Sequence, residues 1–180
     1  PLAVPRAAAS AGALSDGSFL VAGGGSADAA PAELVSPSRS ALALGEPEGV
    51  RDAPALLPLP DGAFVLGGQD ADGMPRRDGL RVAGCPDACV VLPGPRRETA
   101  RPGAEVDTDN GLIAGGAPGD PNAQRIEAVE AGEVVLRHTL VHARERPGLV
   151  ALSDTVLLVL GGRDEAGPRE DAELCVAAAP

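Results

Sequence analysis

Residues 59–68 read LPDGAFVLGG: a turn signal, a short apolar run and two glycines. Asp61-Gly62 between apolar runs favours a two-residue hairpin turn, whose primed geometry needs φ > 0. The run Ala63–Leu66 has strand length, and Gly67-Gly68 lets the chain turn where neighbouring backbone comes close. The same order recurs in LSDGSFLVAGG (14–24), DTDNGLIAGG (107–116) and LSDTVLLVLGG (152–162). The glycine pairs are Gly23-Gly24, Gly67-Gly68, Gly115-Gly116 and Gly161-Gly162, spaced by 44, 48 and 46 residues. Four units of that period fill all 180 residues.

Other features keep the same phase. An arginine precedes each pair, at Arg6, Arg51, Arg101 and Arg146, and the turn signals are Asp16-Gly17, Asp61-Gly62, Asn110-Gly111 and Asp154-Thr155. Beyond each pair comes a third short strand (AELVS, GLRVAG, QRIEAV, DAELCVA), and in three units a fourth (ALAL, CVVL, EVVL). Each unit therefore reads as a four-stranded antiparallel sheet, with boundaries near 1–44, 45–92, 93–138 and 139–180. One such sheet cannot bury both its faces, and stacking sheets radially does so, which is the β-propeller solution. The fourth unit shows strands near 149–152, 156–160 and 172–177 and no fourth, and Leu2-Ala3-Val4 stands where it would supply part of the missing outer strand if the ring closed on itself. Either the four blades close on themselves or they belong to a larger ring. The short step from Val4 to Arg6 favours the larger ring.

Composition narrows the function. The formal charge is −11, all 15 basic residues are Arg, Tyr and Trp are absent and Phe occurs twice. That excludes tyrosyl chemistry, aromatic cages and the stacked aromatics of single-strand binders. It also opposes binding to phosphate backbones or anionic membranes, so no nucleic-acid partner is expected. With 24 Gly and 18 Pro, helices of any length are disfavoured, and the 44% hydrophobic content argues against disorder. No apolar run is long enough for a helix to span a bilayer, and direct membrane insertion is not expected.

The pattern of arginine, Asp/Asn-Gly, apolar run, diglycine and AE step resembles the kelch-repeat, galactose-oxidase-like propeller family. The likeness covers the whole chain, with Glu33 and Glu173 at the AE step and Val35, Val129 and Val176 where the family carries an aromatic. The family's outer-strand Trp has no counterpart. The resemblance implies six- or seven-bladed rings and, in some members, copper radical oxidation. A chain without Tyr cannot ligate that copper, and no His and carboxylate set for its other enzymes is found. With Val, Leu and Ala replacing aromatics, a thin core is expected.

Candidate chemistry is sparse. Cys85 and Cys89 flank a turn between third and fourth strands and are read as a disulfide, with free thiols or a metal pair completed by Cys175, His138 or His142 as alternatives. His138 and His142 would share a helix face but lie about 13 Å apart on a strand, too far for one ion. Asp107, Asp109 and Asn110, like Asp70 and Asp72, resemble the start of a calcium loop but lack the closing Glu, leaving a weak Ca²⁺ site as the alternative to plain turns. Arg76-Arg77 and Arg96-Arg97 read as solvated loop ends, or as a clamp for a carboxylate or sulfate. No Gly-x-Ser-x-Gly elbow exists.

The expected function is a non-catalytic binding or scaffold propeller, without cofactor, in an extracellular or envelope protein. Its protein or glycan partner would engage the loops between second and third strands. The alternative is the non-catalytic portion of a propeller enzyme whose active residues lie elsewhere.

Overall fold

The computed structural model describes residues 1–180 other than 39, 47–48, 98–100, 102–103, 108–110, 118–119, 131, 154 and 177–180. It is all-β, in two compact units, Pro1–Ala100 and Arg101–Pro180. Unit one holds two four-stranded sheets. The first runs β1 (Ser10–Ala13), β2 (Phe19–Ala22), β3 (Ala32–Val35), β4 (Ala41–Leu44); the second runs β5 (Ala55–Leu59), β6 (Gly62–Leu66), β7 (Gly79–Ala83), β8 (Val90–Pro93). Unit two holds the third sheet, β9 (Ala104–Asp107), β10 (Leu112–Gly115), β11 (Arg125–Glu130) and β12 (Glu133–Thr139). Its fourth sheet joins β13 (Gly148–Ser153), β14 (Val156–Leu160) and β17 (Ala172–Val176), with a small hairpin, β15 (Arg163–Asp164) and β16 (Gly167–Pro168), between the last two. Pairing throughout is antiparallel between sequence neighbours or, in the fourth sheet, across the hairpin.

Register gives every sheet two comparable faces. In the first sheet Phe19, Val21, Glu33 and Val35 share one face, and Leu20, Ala22, Ala32 and Leu34 share the other. The second set is buried with Leu56, Ala63, Val65 and Val82 of the second sheet. Unit two repeats this: Ala114 and Ile126 of the third sheet pack with Leu157, Val159 and Cys175 of the fourth. Small and branched aliphatics fill these layers, and Arg51 and Arg144 are among the largest fully buried side chains.

The glycine pair has a measurable reason. Gly23 and Gly24 have φ of 75° and 68°. A Cβ on Gly23 would stand 2.4 Å from the Arg51 carbonyl, and one on Gly24 2.1 Å from that of Ala7. Both conditions exclude any side chain. Gly24 N–H then donates to Arg51 O, as Gly116 N–H does to Arg144 O, so within each unit the first glycine pair ties its sheet to the arginine segment of the second.

Four details correct the sequence reading. The repeated arginine of the last unit is Arg144, not Arg146: Arg144 reaches the Gly161 carbonyl as Arg51 reaches that of Gly67. Arg146 instead adopts φ 48°, matching Ala8 and Ala53, each two residues after its arginine. The counterpart of Val35 in the last sheet is Cys175, since Cys175 pairs Leu157 as Val35 pairs Phe19. Leu2–Val4 forms no strand; Ala3 N–H and Val4 N–H donate to Glu33. The hairpins also differ from the expected two-residue Asp-Gly turns. Between β5 and β6 the loop is Pro60-Asp61, because Leu59 pairs Gly62. Between β1 and β2, Leu14 pairs Ser18 around Ser15-Asp16-Gly17, with Gly17 left-handed at φ 83°. Asn110 and Asp154 lie outside the described residues. No helix among those described is long and apolar enough to cross a membrane.

Candidate functional site

Each sheet holds a clasp: a buried arginine reaching from the segment before the first strand to the third. Arg6 Nε donates to Glu33 Oε1 at 2.7 Å, and its Nη atoms reach the Gly23 and Ala30 carbonyls. Arg101 bonds Glu127 at 2.8 Å and the carbonyls of Asn122 and Arg125. Arg51 bonds Asp78 at 2.7 Å and the Gly67 and Asp78 carbonyls. Arg144 meets Asp171 at 3.1 Å and Glu173 at 2.5 Å.

The acid arrives from two addresses. Glu33, Glu127 and Glu173 stand at one register position on the third strand, opposite Val21, Ile113 and Val159. Leu80 holds that position in the second sheet, opposite Val65. There the acid is Asp78, whose carbonyl accepts from Gly67 N–H as that of Asp171 accepts from Gly161 N–H. Glu127 and Asp78 escaped the sequence reading because no AE dipeptide marks them; the arginine phase, with its charge in need of burial, was the available signal. Five donors on a planar fork satisfy both a carboxylate and backbone carbonyls at the root of the following loop.

Electrostatics follows the clasps. Burial alone would raise Asp78, but the guanidiniums of Arg76 and Arg51 more than offset it and hold its carboxyl at about 2. Burial likewise pushes Glu173 up, and the Val141 N–H with Arg144 outweighs it, leaving the group below its usual range. Arg169 donates Nε and Nη2 to both oxygens of Asp171 and holds that carboxyl well below the usual range. Burial pushes the Cys175 thiol up, so it stays protonated and unreactive.

The loops held by these clasps were the expected binding surface, and their acids shape turns. Asp70 Oδ1 accepts from Asp72 N–H and Met74 N–H, Asp120 Oδ1 from Asn122 N–H, and Asp164 Oδ1 from Ala166 N–H. The loop of the fourth sheet bounds an open groove of about 320 Å³ lined by Asp164, Ala166, Pro168, Arg169, Glu170 and Asp171. Arg169 is shared between Asp164 and Asp171, so the cation in the groove's lining is already paired with its own acids.

Other sequence candidates stay apart. His138 lies within β12, opposite Ile126, and His142 lies beyond its end, where its N–H donates to Glu173. Asp109 and Asn110 fall outside the described residues, as does the Asp107 side chain. Among described residues no group of three His, Cys, Asp or Glu could hold a metal ion. Arg76 bonds Asp78 and the Val50 carbonyl, while Arg77 points to solvent; Arg97 is buried and Arg96 exposed. Neither pair forms a forked clamp. Cys85 and Cys89 form a disulfide, and Cys175 is a buried free thiol.

No known protein family's sequence profile matches the chain, and no curated protein does. Among solved structures, that of YjhT, a β-propeller, superposes with a TM-score of 0.67 at 13% identity. The match covers 96% of this chain and 66% of YjhT, so the chain spans just under two thirds of that protein. The kelch and galactose-oxidase-like assignment is thereby corrected: the structure it resembles is a differently named β-propeller, and no family profile supports the assignment. The physical reason lies in the quoted motif itself. The diglycines and the arginines stack and clasp the sheets, while the acid comes from an AE step in only two of the four, so the motif reports sheet geometry.

Proposed function

We propose that the chain is a non-catalytic frame portion of a larger β-propeller assembly. Catalytic residues of that assembly lie outside these 180 residues, and a protein or glycan partner engages the loops that follow the glycine pairs. The observation that carries this reading is where the buried charge goes. Among the described residues the buried charged ones are Glu33, Arg51, Arg97, Arg101, Glu127 and Arg144, and all but Arg97 belong to clasps. A general acid needs a carboxyl raised toward neutrality. Among the described residues each carboxylate with a displaced ionisation is held toward its charged form. Coverage of 66% of YjhT supports the reading of a portion. The Cys85–Cys89 disulfide favours an extracellular or envelope setting, where such bonds persist.

The test pairs a turnover panel with binding arrays. The purified chain should leave chromogenic glycosides and esters intact. On glycan and protein arrays, a variant carrying Asp28→Ser, Asp72→Ser, Met74→Ser and Glu165→Ser should lose the wild-type hits while keeping the wild-type melting temperature. Turnover abolished by one substitution within the chain would overturn the reading.

A further inference from the structure

Two sheet faces stand uncovered, one in each compact unit, and register makes them counterparts of faces that are buried elsewhere. In the fourth sheet Leu157, Val159 and Cys175 are buried against the third sheet. Their counterparts in the first sheet are Phe19, Val21 and Val35, and Phe19 is 51% exposed. In the first sheet Leu20, Ala22, Ala32 and Leu34 are buried against the second. Their counterparts in the fourth are Leu158, Leu160, Ala172 and Leu174, and Leu174 is 60% exposed. Val150, Leu160 and Val176 extend the same exposed surface.

Leu140 and Leu2 provide a second, independent comparison. Ala3 and Val4 donate backbone N–H groups to Glu33, as Val141 and His142 do to Glu173. Leu2 therefore stands ahead of the first sheet where Leu140 stands ahead of the fourth. Leu140, sealed between the third and fourth sheets, is 2% exposed, and Leu2 is 40% exposed. Same place, same hydrogen bonds: what Leu2 lacks is the neighbouring sheet.

We propose that the uncovered face of the fourth sheet, with Val150, Leu160, Leu174 and Val176, docks onto the uncovered Phe19 face of the first sheet of a second copy of this chain. The contact reproduces the packing that the third and fourth sheets already make, with Leu2 taking the sealed position of Leu140. Among the described residues neither patch presents a charged side chain at its centre, and the acid on the receiving face, Glu33, is buried and paired with Arg6. A contiguous apolar surface rimmed by polar loops is the kind that marks an interface. The two patches differ, so the contact is head to tail and adds copies in one direction. This inference rests on the frame reading and names what extends the frame.

Sedimentation velocity and light scattering on the intact chain test it. The wild type should assemble with rising concentration. Leu174→Glu and Phe19→Glu should each weaken assembly about 100-fold, because each puts a charge into an apolar contact. Val176→Glu serves as a second variant on the donor face, and circular dichroism confirms that each variant folds, both positions being exposed in one copy. An equimolar mixture of the Leu174→Glu and Phe19→Glu chains keeps one intact pair of faces and should form a one-to-one dimer. A monomeric wild type overturns the proposal, whether the faces are covered by another protein or by further sequence. A mixture that behaves like its separate components overturns it equally. Turnover in the panel above would sink the frame reading while leaving the sedimentation result standing, so the two failures are distinct.

Discussion

In the first sheet Arg6 and Glu33 are 1% and 0% exposed and pair through a single carboxylate. In the fourth, Arg144 is equally buried, but its partners Asp171 and Glu173 are 40% and 13% exposed and share the guanidinium. The sealed clasp excludes water and has no substitute partner. The open clasp admits water and holds a reserve acid, with Arg169 bracing Asp171 from the other side. The same arginine can thus be satisfied in two ways, and the energetic consequence of losing an acid differs accordingly. A buried charge stripped of its only partner is far more costly than one that keeps a second.

The largest expected effect is therefore at Glu33. Glu33→Ala leaves the Arg6 charge buried with carbonyl partners alone, and also removes the acceptor of Ala3 N–H. We expect a loss of about 3–5 kcal/mol in urea unfolding. A loss below about 1 kcal/mol would show that water enters the clasp once the acid is gone, and the distinction between sealed and open would fail.

Glu173→Ala should be milder, about 1–3 kcal/mol, since Asp171 still faces Arg144 and the orphaned N–H groups of Val141 and His142 belong to exposed residues. Equal losses at Glu33 and Glu173 would mean that the reserve acid contributes nothing.

Much of this fold was legible because its repeats are strict. At least one member of every glycine pair (Gly23 and Gly24, Gly68, Gly115, Gly162) combines a positive φ with backbone that a Cβ would strike, so the pairs recur at a near-constant period and reveal four sheets. The clasp acids were only half legible. Glu33 and Glu173 lie in AE dipeptides, but a planar guanidinium accepts an acid from either of two neighbouring register positions, so Asp78 left no fixed signature. Arg144 was mistaken for Arg146 because two arginines lie within one turn of spacing and only the hydrogen bonds to the Gly161 and Asp171 carbonyls separate them. The β15–β16 hairpin was unreadable, since two-residue strands have no periodicity to detect.

Acid should weaken the open clasp. Asp171 and Glu173 are both held below their ordinary values in the folded chain, the first chiefly by Arg169 and the second by N–H donors and Arg144 against its burial. A carboxylate depressed on folding contributes stability that is fully present above its unfolded value and fades as pH falls toward its folded value. Urea midpoints should therefore decline from pH 5 to pH 2, a range in which Asp78 at about 2 also contributes. Glu173→Gln should flatten part of that decline. An unchanged pH profile in this variant would remove Glu173 from the acid-sensitive set.

The smallest effect addresses what the two clasps share. Two residues after each of their arginines the chain turns left-handed, at Ala8 with φ 54° and at Arg146 with φ 48°. A non-glycine residue pays roughly 1–2 kcal/mol for that conformation, while glycine gives back about 0.5–1 kcal/mol through its freer unfolded chain. Ala8→Gly and Arg146→Gly should thus each stabilise by about 0.5 kcal/mol, read as a small rise in urea midpoint with an unchanged slope. The gain should be the same beside the sealed clasp and beside the open one, because the turn is set by the backbone path from arginine to first strand and owes nothing to the carboxylates. A gain at one site only would mean that the acid partner also dictates the turn, and that the two clasps differ in backbone as well as in solvent.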